Sequence, residues 1–161
     1  MQIARQSRVA GEAYVGRTRV RAQIKPFIQE IAMFRKAITA DGAISVGPYS
    51  HAIDSDGIIC FSGQTPIDPK TGSIVTGNIK DQTRQSFCNL FHVLESAGLT
   101  GDDVIKVNVY LTDMNNFKEM NEVYAEQFGT PYPARTTIGV NELPLGALVE
   151  IEMIARKRKT I

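Results

Sequence analysis

The chain lacks the features by which several broad classes of protein are recognised. Its 161 residues contain no run of 18 apolar residues, so the sequence predicts no membrane-spanning helix. Its two cysteines, Cys60 and Cys88, are spaced like neither a zinc site nor a redox pair, and we expect buried structural thiols. A net charge of +1 gives no overall attraction to nucleic acid or to a membrane.

Motifs for nucleotide, zinc and nucleophilic chemistry are also missing. The sequence has no P-loop, no Rossmann glycine fingerprint and no His-Glu-x-x-His motif. Its two histidines, His51 and His92, have no cysteine or carboxylate at a spacing typical of a metal site or of a catalytic triad. We therefore expect neither a metal nor a cofactor.

Charge is unevenly distributed along the chain. Residues 1–34 hold six basic and two acidic residues, a net charge of +4, whereas residues 35–161 carry −3. An arginine-rich, acid-poor leader is typical of a mitochondrial or plastid transit peptide. A disordered or helical extension, or a segment introduced by cloning, remains as an alternative. We expect one domain at 35–161 after this extension, in the cytoplasm unless the leader is a transit peptide.

Hydrophobic periodicity predicts an α+β domain. The pattern indicates β-β-β, helix, β, helix, β-β, with both helices on one face of the sheet. The predicted elements are a hairpin around Asp54–Gly57, a helix ending at Gly98, a strand at Val104–Leu111, a second helix capped by Asp113 or Asn115, and strands at Arg135–Val140 and Ala147–Ala155.

The last strand distinguishes the two faces of this sheet. Val149, Ile151 and Met153 share one face, which should contact the helices, and Glu150 and Glu152 share the other. On the strand Val104–Leu111, the set Ile105, Val107, Val109 and Leu111 is expected in the core. The face away from the helices is then semi-polar, as expected of a surface that another subunit covers.

Arg135 and Glu150, at the start of one strand and inside the next, are the candidate chemical groups. An arginine can bind a carboxylate through two parallel hydrogen bonds, and a partly buried glutamate can transfer protons. The alternatives are a structural ion pair between Arg135 and Glu150 or Glu152, or a solvated Glu150.

Several segments in one order resemble the YjgF/RidA family, also called the L-PSP or YER057c family, whose members deaminate reactive enamines and imines. The resemblance covers about residues 35–157. The matching segments are Gly47-Pro48-Tyr49-Ser50, Ser62-Gly63-Gln64, Asp68–Gly72, Val107–Asp113, Met120–Tyr124 and Pro133-Ala134-Arg135-Thr136 through Val149–Glu152.

The resemblance implies a chorismate-mutase-like fold and a homotrimeric barrel with clefts between subunits. It implies that Arg135 binds a substrate carboxylate and that Glu150 positions or activates water. It places Tyr49 and Asn121 in the same cleft, with Ser62 and Gly63 in its wall. Thr137 stands where many deaminases of the family have a cysteine, which bears on substrate preference. Tyr49 as an interface aromatic and Asn121 as a backbone cap remain alternatives.

The expected activity is hydrolysis of short 2-imino or enamine acids, such as 2-aminoacrylate and 2-iminobutanoate, to 2-keto acids and ammonia. This is the reaction of a 2-iminobutanoate/2-iminopropanoate deaminase. Two alternatives remain. One is an endoribonuclease that inhibits translation, although residues 35–161 show no basic stripe with stacking aromatics, so we do not expect a nucleic-acid partner. The other is a non-catalytic trimer that binds a carboxylate ligand.

Overall fold

The computed structural model describes residues 35–43 and 47–158. The predicted basic extension, residues 1–34, lies outside the described residues and stays a prediction. Within the described part, a six-stranded mixed sheet carries two α-helices, which confirms the predicted α+β class.

The main sheet has the strand order β1-β2-β3-β8-β6-β7. Its strands are β1 (Lys36–Ile38), β2 (Ala52–Ser55), β3 (Ile58–Gln64), β6 (Val104–Leu111), β7 (Ala134–Gly139) and β8 (Val149–Arg156). Only β6 and β7 pair in parallel among these described strands. Strand β7, the last in this order, is an edge strand. A short separate hairpin of β4 (Ile67–Asp68) and β5 (Ser73–Ile74) flanks a turn at residues 69–72.

The two helices are α1 (Ile79–Ser96) and α2 (Phe117–Gln127). Helix α1 begins at an Asn78 capping box and ends before Gly98, whose φ of +72° suits the position after a helix C-cap. Asp113 caps a short 3₁₀ turn, Met114–Asn116, that leads into α2. No helix in the described part of the chain has both the length and the apolar character needed to cross a membrane.

Helix α1 packs on β8 and β3 and contacts α2 alongside, so the core lies between the helices and one sheet face. The predicted core residues of β8, Val149, Ile151 and Met153, are at most 1% exposed. On β6 the prediction is wrong at one position, because Val104 is buried and Ile105 is 47% exposed. The register of β6 against β8 shifts between Val104 and Lys106, and the shift turns Ile105 outward.

The hairpin of β2 and β3 confirms its predicted turn. Asp56 and Gly57 both have positive φ, 54° and 82°, as a two-residue hairpin turn requires. Farther along β3, its register against β8 shifts between Phe61 and Gln64. The sequence predicts a bulge or a close backbone approach at Gly63, and this irregularity confirms it.

The prediction of buried cysteines is wrong. Cys60 and Cys88 are both exposed and free. Cys60 lies between the buried Ile59 and Phe61 on β3, so its side chain points to the face opposite the core. Cys88 lies on the side of α1 away from the sheet, next to the buried Phe87.

Candidate functional site

Arg135 lies on the helix side of the sheet, at its edge. It is the second residue of β7, and its neighbour on β6 is Val107, a core residue that is fully buried. Neighbouring residues in register point to the same face of a sheet. The guanidinium therefore emerges beside α2, where an edge strand leaves room for a long side chain.

Two aromatic rings of α2 contact the guanidinium. Its central carbon lies 4.4 Å from the centroid of the Tyr124 ring and 5.8 Å from that of Phe117. Both distances are within the range of a cation–π interaction. Arg135 is half-buried, yet among the described residues it has no carboxylate partner and no hydrogen-bond acceptor for its guanidinium. A partly desolvated cation that lacks an anionic partner is well suited to bind an anionic ligand.

Polar atoms around Arg135 are also unpaired. Asn121 Oδ1, the Tyr124 hydroxyl and Thr137 Oγ1 are buried and have no hydrogen-bond partner among the described residues. Phe117, Asn121 and Tyr124 recur at a spacing of four and three residues, so they share one face of α2. Thr137 follows Arg135 by two residues and points to the same sheet face. We name this group the arginine half-site: Phe117, Asn121, Tyr124, Arg135 and Thr137.

Glu150 lies on the other face of the sheet, in β8, and its neighbour on β6 is Tyr110. Its carboxylate covers Gly63. A Cβ atom added to Gly63 would overlap Glu150 Oε1 and lie 2.9 Å from Glu150 Cδ. Only glycine therefore leaves room for the carboxylate at this point of β3.

Burial and a neighbouring negative charge both act on Glu150. Burial raises the pKa of its carboxyl group above the ordinary value, and Glu152 raises it further. Glu152 itself accepts hydrogen bonds from Asn108 Nδ2 and from the Tyr110 hydroxyl, both at 2.8 Å to Oε1. These two donors hold the side chain of Glu152 in place on the sheet face that it shares with Glu150.

The segment before β2 is tied to the same region. Ser62 Oγ donates to the Ser50 carbonyl at 2.7 Å, and Ser62 N donates to the His51 carbonyl at 3.0 Å. Tyr49, which directly precedes Ser50, is 43% exposed. These bonds place Tyr49 and Ser62 in the neighbourhood of the bulge at Gly63. We name this group the glutamate half-site: Tyr49, Ser62, Gly63 and Glu150.

One chain does not bring the two half-sites together. Strand β6 separates β7 from β8, and the register places Arg135 beside Val107 but Glu150 beside Tyr110. Standard strand spacings then give about 14 Å between the two Cα atoms, with the side chains on opposite faces. The alternative prediction, a structural ion pair between Arg135 and Glu150 or Glu152 within one chain, is therefore wrong. A single substrate contacts both residues only if they come from two chains.

Four residues of these surroundings were not predicted from the sequence as part of the site. Tyr124 and Phe117 are two of them, and their spacing around Asn121 on α2 is the signal that they face Arg135. Tyr110 and Asn108 alternate with core residues of β6, and the polar face of that strand is the corresponding signal.

A separate cavity of about 520 Å³ lies on the outer side of α1. Its described lining includes Gln64, Ile67, Pro69, Cys88, Phe91 and His92, and it contains none of the predicted site residues. Within residues 35–43 and 47–158, no group of three or more His, Cys, Asp and Glu side chains is placed to hold a metal ion.

Comparison with known proteins places this geometry in a family. Residues 39–157 match the family model of endoribonuclease L-PSP. A RutC family protein of Pyrococcus horikoshii is 57% identical over 112 residues, which are 70% of this chain and 89% of that protein. The 2-iminobutanoate/2-iminopropanoate deaminase of Dermatophagoides farinae is 43% identical over 109 residues, 68% of this chain and 85% of that protein.

Two further matches concern compartment and fold. The mitochondrial protein mmf2 of Schizosaccharomyces pombe is 46% identical over 112 residues, 68% of this chain and 87% of that protein. The crystal structure of RidA from an Antarctic Psychrobacter superimposes with a TM-score of 0.73 at 40% identity, covering 76% of this chain and 100% of that one. The fold of the described domain is thus shared with solved Rid proteins.

Proposed function

Because the chain belongs to the endoribonuclease L-PSP family, which includes the Rid and RutC proteins, we propose that it hydrolyses short 2-imino or enamine acids to 2-keto acids and ammonia. Relatives named 2-iminobutanoate/2-iminopropanoate deaminase support this reaction. The observation that carries the proposal is the half-buried Arg135, held between two aromatic rings without an anionic partner in the described structure.

Arg135 binds the substrate carboxylate in this proposal. A guanidinium presents two parallel N–H donors to a carboxylate, and this geometry orients the neighbouring C2 atom, which carries the imine. The unpaired atoms of Asn121 and Thr137 supply further hydrogen-bonding groups next to that anion. Because such imines already hydrolyse in water, orientation of substrate and water provides much of the required acceleration.

Glu150 transfers a proton from the attacking water to the substrate in this proposal. Water adds to C2 of the protonated imine while the Glu150 carboxylate takes a proton from that water. The same proton then passes to the nitrogen of the carbinolamine. As the C–N bond breaks and ammonia leaves, the Glu150 carboxylate takes the remaining hydroxyl proton, so that the carbonyl of the 2-keto acid forms, and this proton passes to the ammonia to give ammonium. A raised pKa suits this cycle, because a carboxyl group that titrates nearer to neutral pH both accepts and returns a proton readily.

The active cleft, in this proposal, joins the arginine half-site of one chain to the glutamate half-site of its neighbour in a homotrimer. The sheet face that carries Glu150 supports a covering subunit, because it also exposes large apolar side chains, Ile58, Ile105 and Ile138, at 46–47%. Light scattering on the purified protein tests the assembly, and a monomer at micromolar concentration would refute this arrangement.

A coupled assay tests the activity. A threonine dehydratase generates 2-iminobutanoate in the cuvette, and its decay is followed with and without the protein. We expect the wild-type protein to accelerate decay, Arg135→Ala to abolish the acceleration, and Arg135→Lys to restore only part of it, since lysine lacks the two-donor geometry. Unchanged trimer size serves as the folding control. Full activity of Arg135→Ala would refute the anchor role.

Glu150→Gln separates the enzyme from a binding protein. Glutamine keeps the size of the side chain but cannot take up a proton, so we expect a variant that still binds a short 2-keto acid and has lost turnover. Turnover at the wild-type rate would remove Glu150 from the mechanism.

Endoribonuclease activity is a second candidate function, because the family that matches this chain is described as endoribonuclease L-PSP. The negative charge of residues 35–161 weighs against it, and the basic extension 1–34 is the local feature in its favour. RNA cleavage by nuclease-free preparations, with and without residues 1–34, distinguishes the two activities. The same leader and the mitochondrial relative support an organellar location as the alternative to the cytoplasm.

A further inference from the structure

Tyr124 is the closest described aromatic group to the Arg135 guanidinium and is firmly fixed. Its ring centroid lies 4.4 Å from the guanidinium carbon, against 5.8 Å for Phe117. Tyr124 is only 5% exposed, whereas Phe117 is 37% exposed. The Tyr124 ring also packs on Phe128 at 5.1 Å and on Phe87 at 5.8 Å between centroids. It therefore offers Arg135 a rigid surface that belongs to the hydrophobic core.

The contact acts through the ring face, because the phenol is neutral and its hydroxyl is unpaired. Burial raises the pKa of Tyr124, and Arg135 opposes that shift without cancelling it. The hydroxyl has no hydrogen-bond partner in the described structure, so it holds no group of Arg135. The electron-rich face of the ring remains as the attraction for the cation.

Arg135 depends on such a surface for its orientation. An arginine side chain has several rotatable bonds, and no described acceptor fixes this guanidinium. A ligand that binds a freely rotating arginine loses affinity to the ordering of that side chain. A ring that holds the guanidinium beforehand removes part of this loss.

We propose that Tyr124 is the positioning residue that holds Arg135, through its ring face, in the conformation that binds the carboxylate of the substrate. This role rests on the proposed function for the identity of the substrate, and on the described contacts for the geometry. It assigns to Tyr124 a role in the site that the sequence-based prediction, which places only Asn121 of α2 in the cleft, does not contain.

Three variants separate the ring, the hydroxyl and the packing. Tyr124→Phe keeps the ring and removes the hydroxyl, and Tyr124→Leu removes the ring. Phe91→Leu is the matched control, because it removes a ring of the same aromatic cluster that packs on Phe87 and Phe128 and makes no ring contact with Tyr124 or Arg135. Thermal melting of all three variants reports the loss of packing that Tyr124→Leu and Phe91→Leu share.

Calorimetric binding of pyruvate, a short 2-keto acid, is the first readout. We expect Tyr124→Leu to weaken binding about five- to thirty-fold, as loss of a partly desolvated cation–π contact implies, with Tyr124→Phe within about two-fold of wild type. Phe91→Leu should bind like wild type despite its lower melting temperature. In the Arg135→Ala background, Tyr124→Leu should have no further effect on binding, because its role acts through Arg135.

Kinetics supply the second readout, since a positioning role raises KM for the imino acid more than it lowers kcat. Equal weakening by Tyr124→Leu and Phe91→Leu would assign the effect to packing and overturn the proposal. Equal weakening by Tyr124→Phe and Tyr124→Leu would assign it to the hydroxyl and do the same. Wild-type protein that binds pyruvate without accelerating imine decay would refute the proposed function alone, and the binding series would still decide the role of Tyr124.

Discussion

Mixing two inactive variants gives a direct test of a cleft shared between chains. Arg135→Ala lacks the carboxylate anchor and Glu150→Gln lacks the proton carrier, so each should be inactive as a homotrimer. In a mixed trimer, a cleft is intact when its arginine comes from a Glu150→Gln chain and its glutamate from an Arg135→Ala chain. Random assembly at equal amounts makes each condition true half of the time. About a quarter of the clefts should then be intact, with about a quarter of wild-type activity.

The geometry that sets this value is the placement of Arg135 and Glu150 on opposite sheet faces, about 14 Å apart at Cα. If one chain supplied both residues to a cleft, every cleft in the mixture would carry one defect and activity would stay at background. Wild-type chains mixed with the double variant add an independent measurement. We expect about one quarter of wild-type activity for a shared cleft and about one half for a cleft within one chain.

The assay uses co-expression with two different affinity tags, tandem purification and the iminobutanoate decay reaction. Tandem purification removes homotrimers, so the expected activity of the Arg135→Ala and Glu150→Gln heterotrimers rises to about one third of a 1:1 wild-type pair that carries the same two tags. For wild-type chains with the double variant, the purified heterotrimers should show about one sixth for a shared cleft and about one half for a cleft within one chain. Glu150→Gln co-expressed with Glu150→Ala is the negative control, since those two defects cannot complement each other. Background activity in the Arg135→Ala and Glu150→Gln mixture, with heterotrimers present, would refute the shared cleft.

Three further predictions follow from particular contacts. Gly63→Ala should displace the Glu150 carboxylate and lower kcat at least about ten-fold. Its stability should change little, because the overlapping atom ends a flexible side chain. The control Gly101→Ala should leave kcat and stability unchanged, because the nearest atom to its added Cβ would be 3.7 Å away. Glu152→Gln should shift the acidic limb of the pH profile of kcat/KM to lower pH, because it removes the negative charge that helps to raise the pKa of Glu150. An acidic limb at the wild-type pH would exclude this electrostatic effect of Glu152 on Glu150. Asn78→Ala should lower the free energy of unfolding by about 1 kcal/mol in urea, because its side chain accepts two backbone bonds at the start of α1.

Much of the fold could be predicted because each strand and helix follows its own period. The alternation Val149–Met153 identifies the core face of β8, and Gly98 marks the end of α1. The prediction is wrong where the period is interrupted. A bulge after Val104 exposes Ile105, and nothing in the local residue types distinguishes the two β-branched side chains beforehand.

The candidate site was less accessible to sequence reasoning. Alternation along β8 places Glu150 off the helix face, but the face of Arg135 depends on the register of β7 with β6, a long-range pairing that no local pattern specifies. The same pairing decides that Tyr124 lies under Arg135. Glu152 looks equivalent to Glu150 in sequence, and only the donors Asn108 and Tyr110 distinguish it as a fixed carboxylate.

Assembly of the two half-sites would couple the charge of Arg135 to the proton affinity of Glu150. In the described part of one chain, burial and Glu152 raise the pKa of Glu150, and no cation there opposes them. A neighbouring guanidinium in the cleft would lower that pKa and favour the ionised form in the empty enzyme. When a substrate carboxylate then pairs with Arg135, the positive charge is neutralised and the pKa of Glu150 rises again. Substrate binding itself would thus prepare Glu150 to take a proton from water, which gives a physical reason for placing the anchor and the base in one cleft.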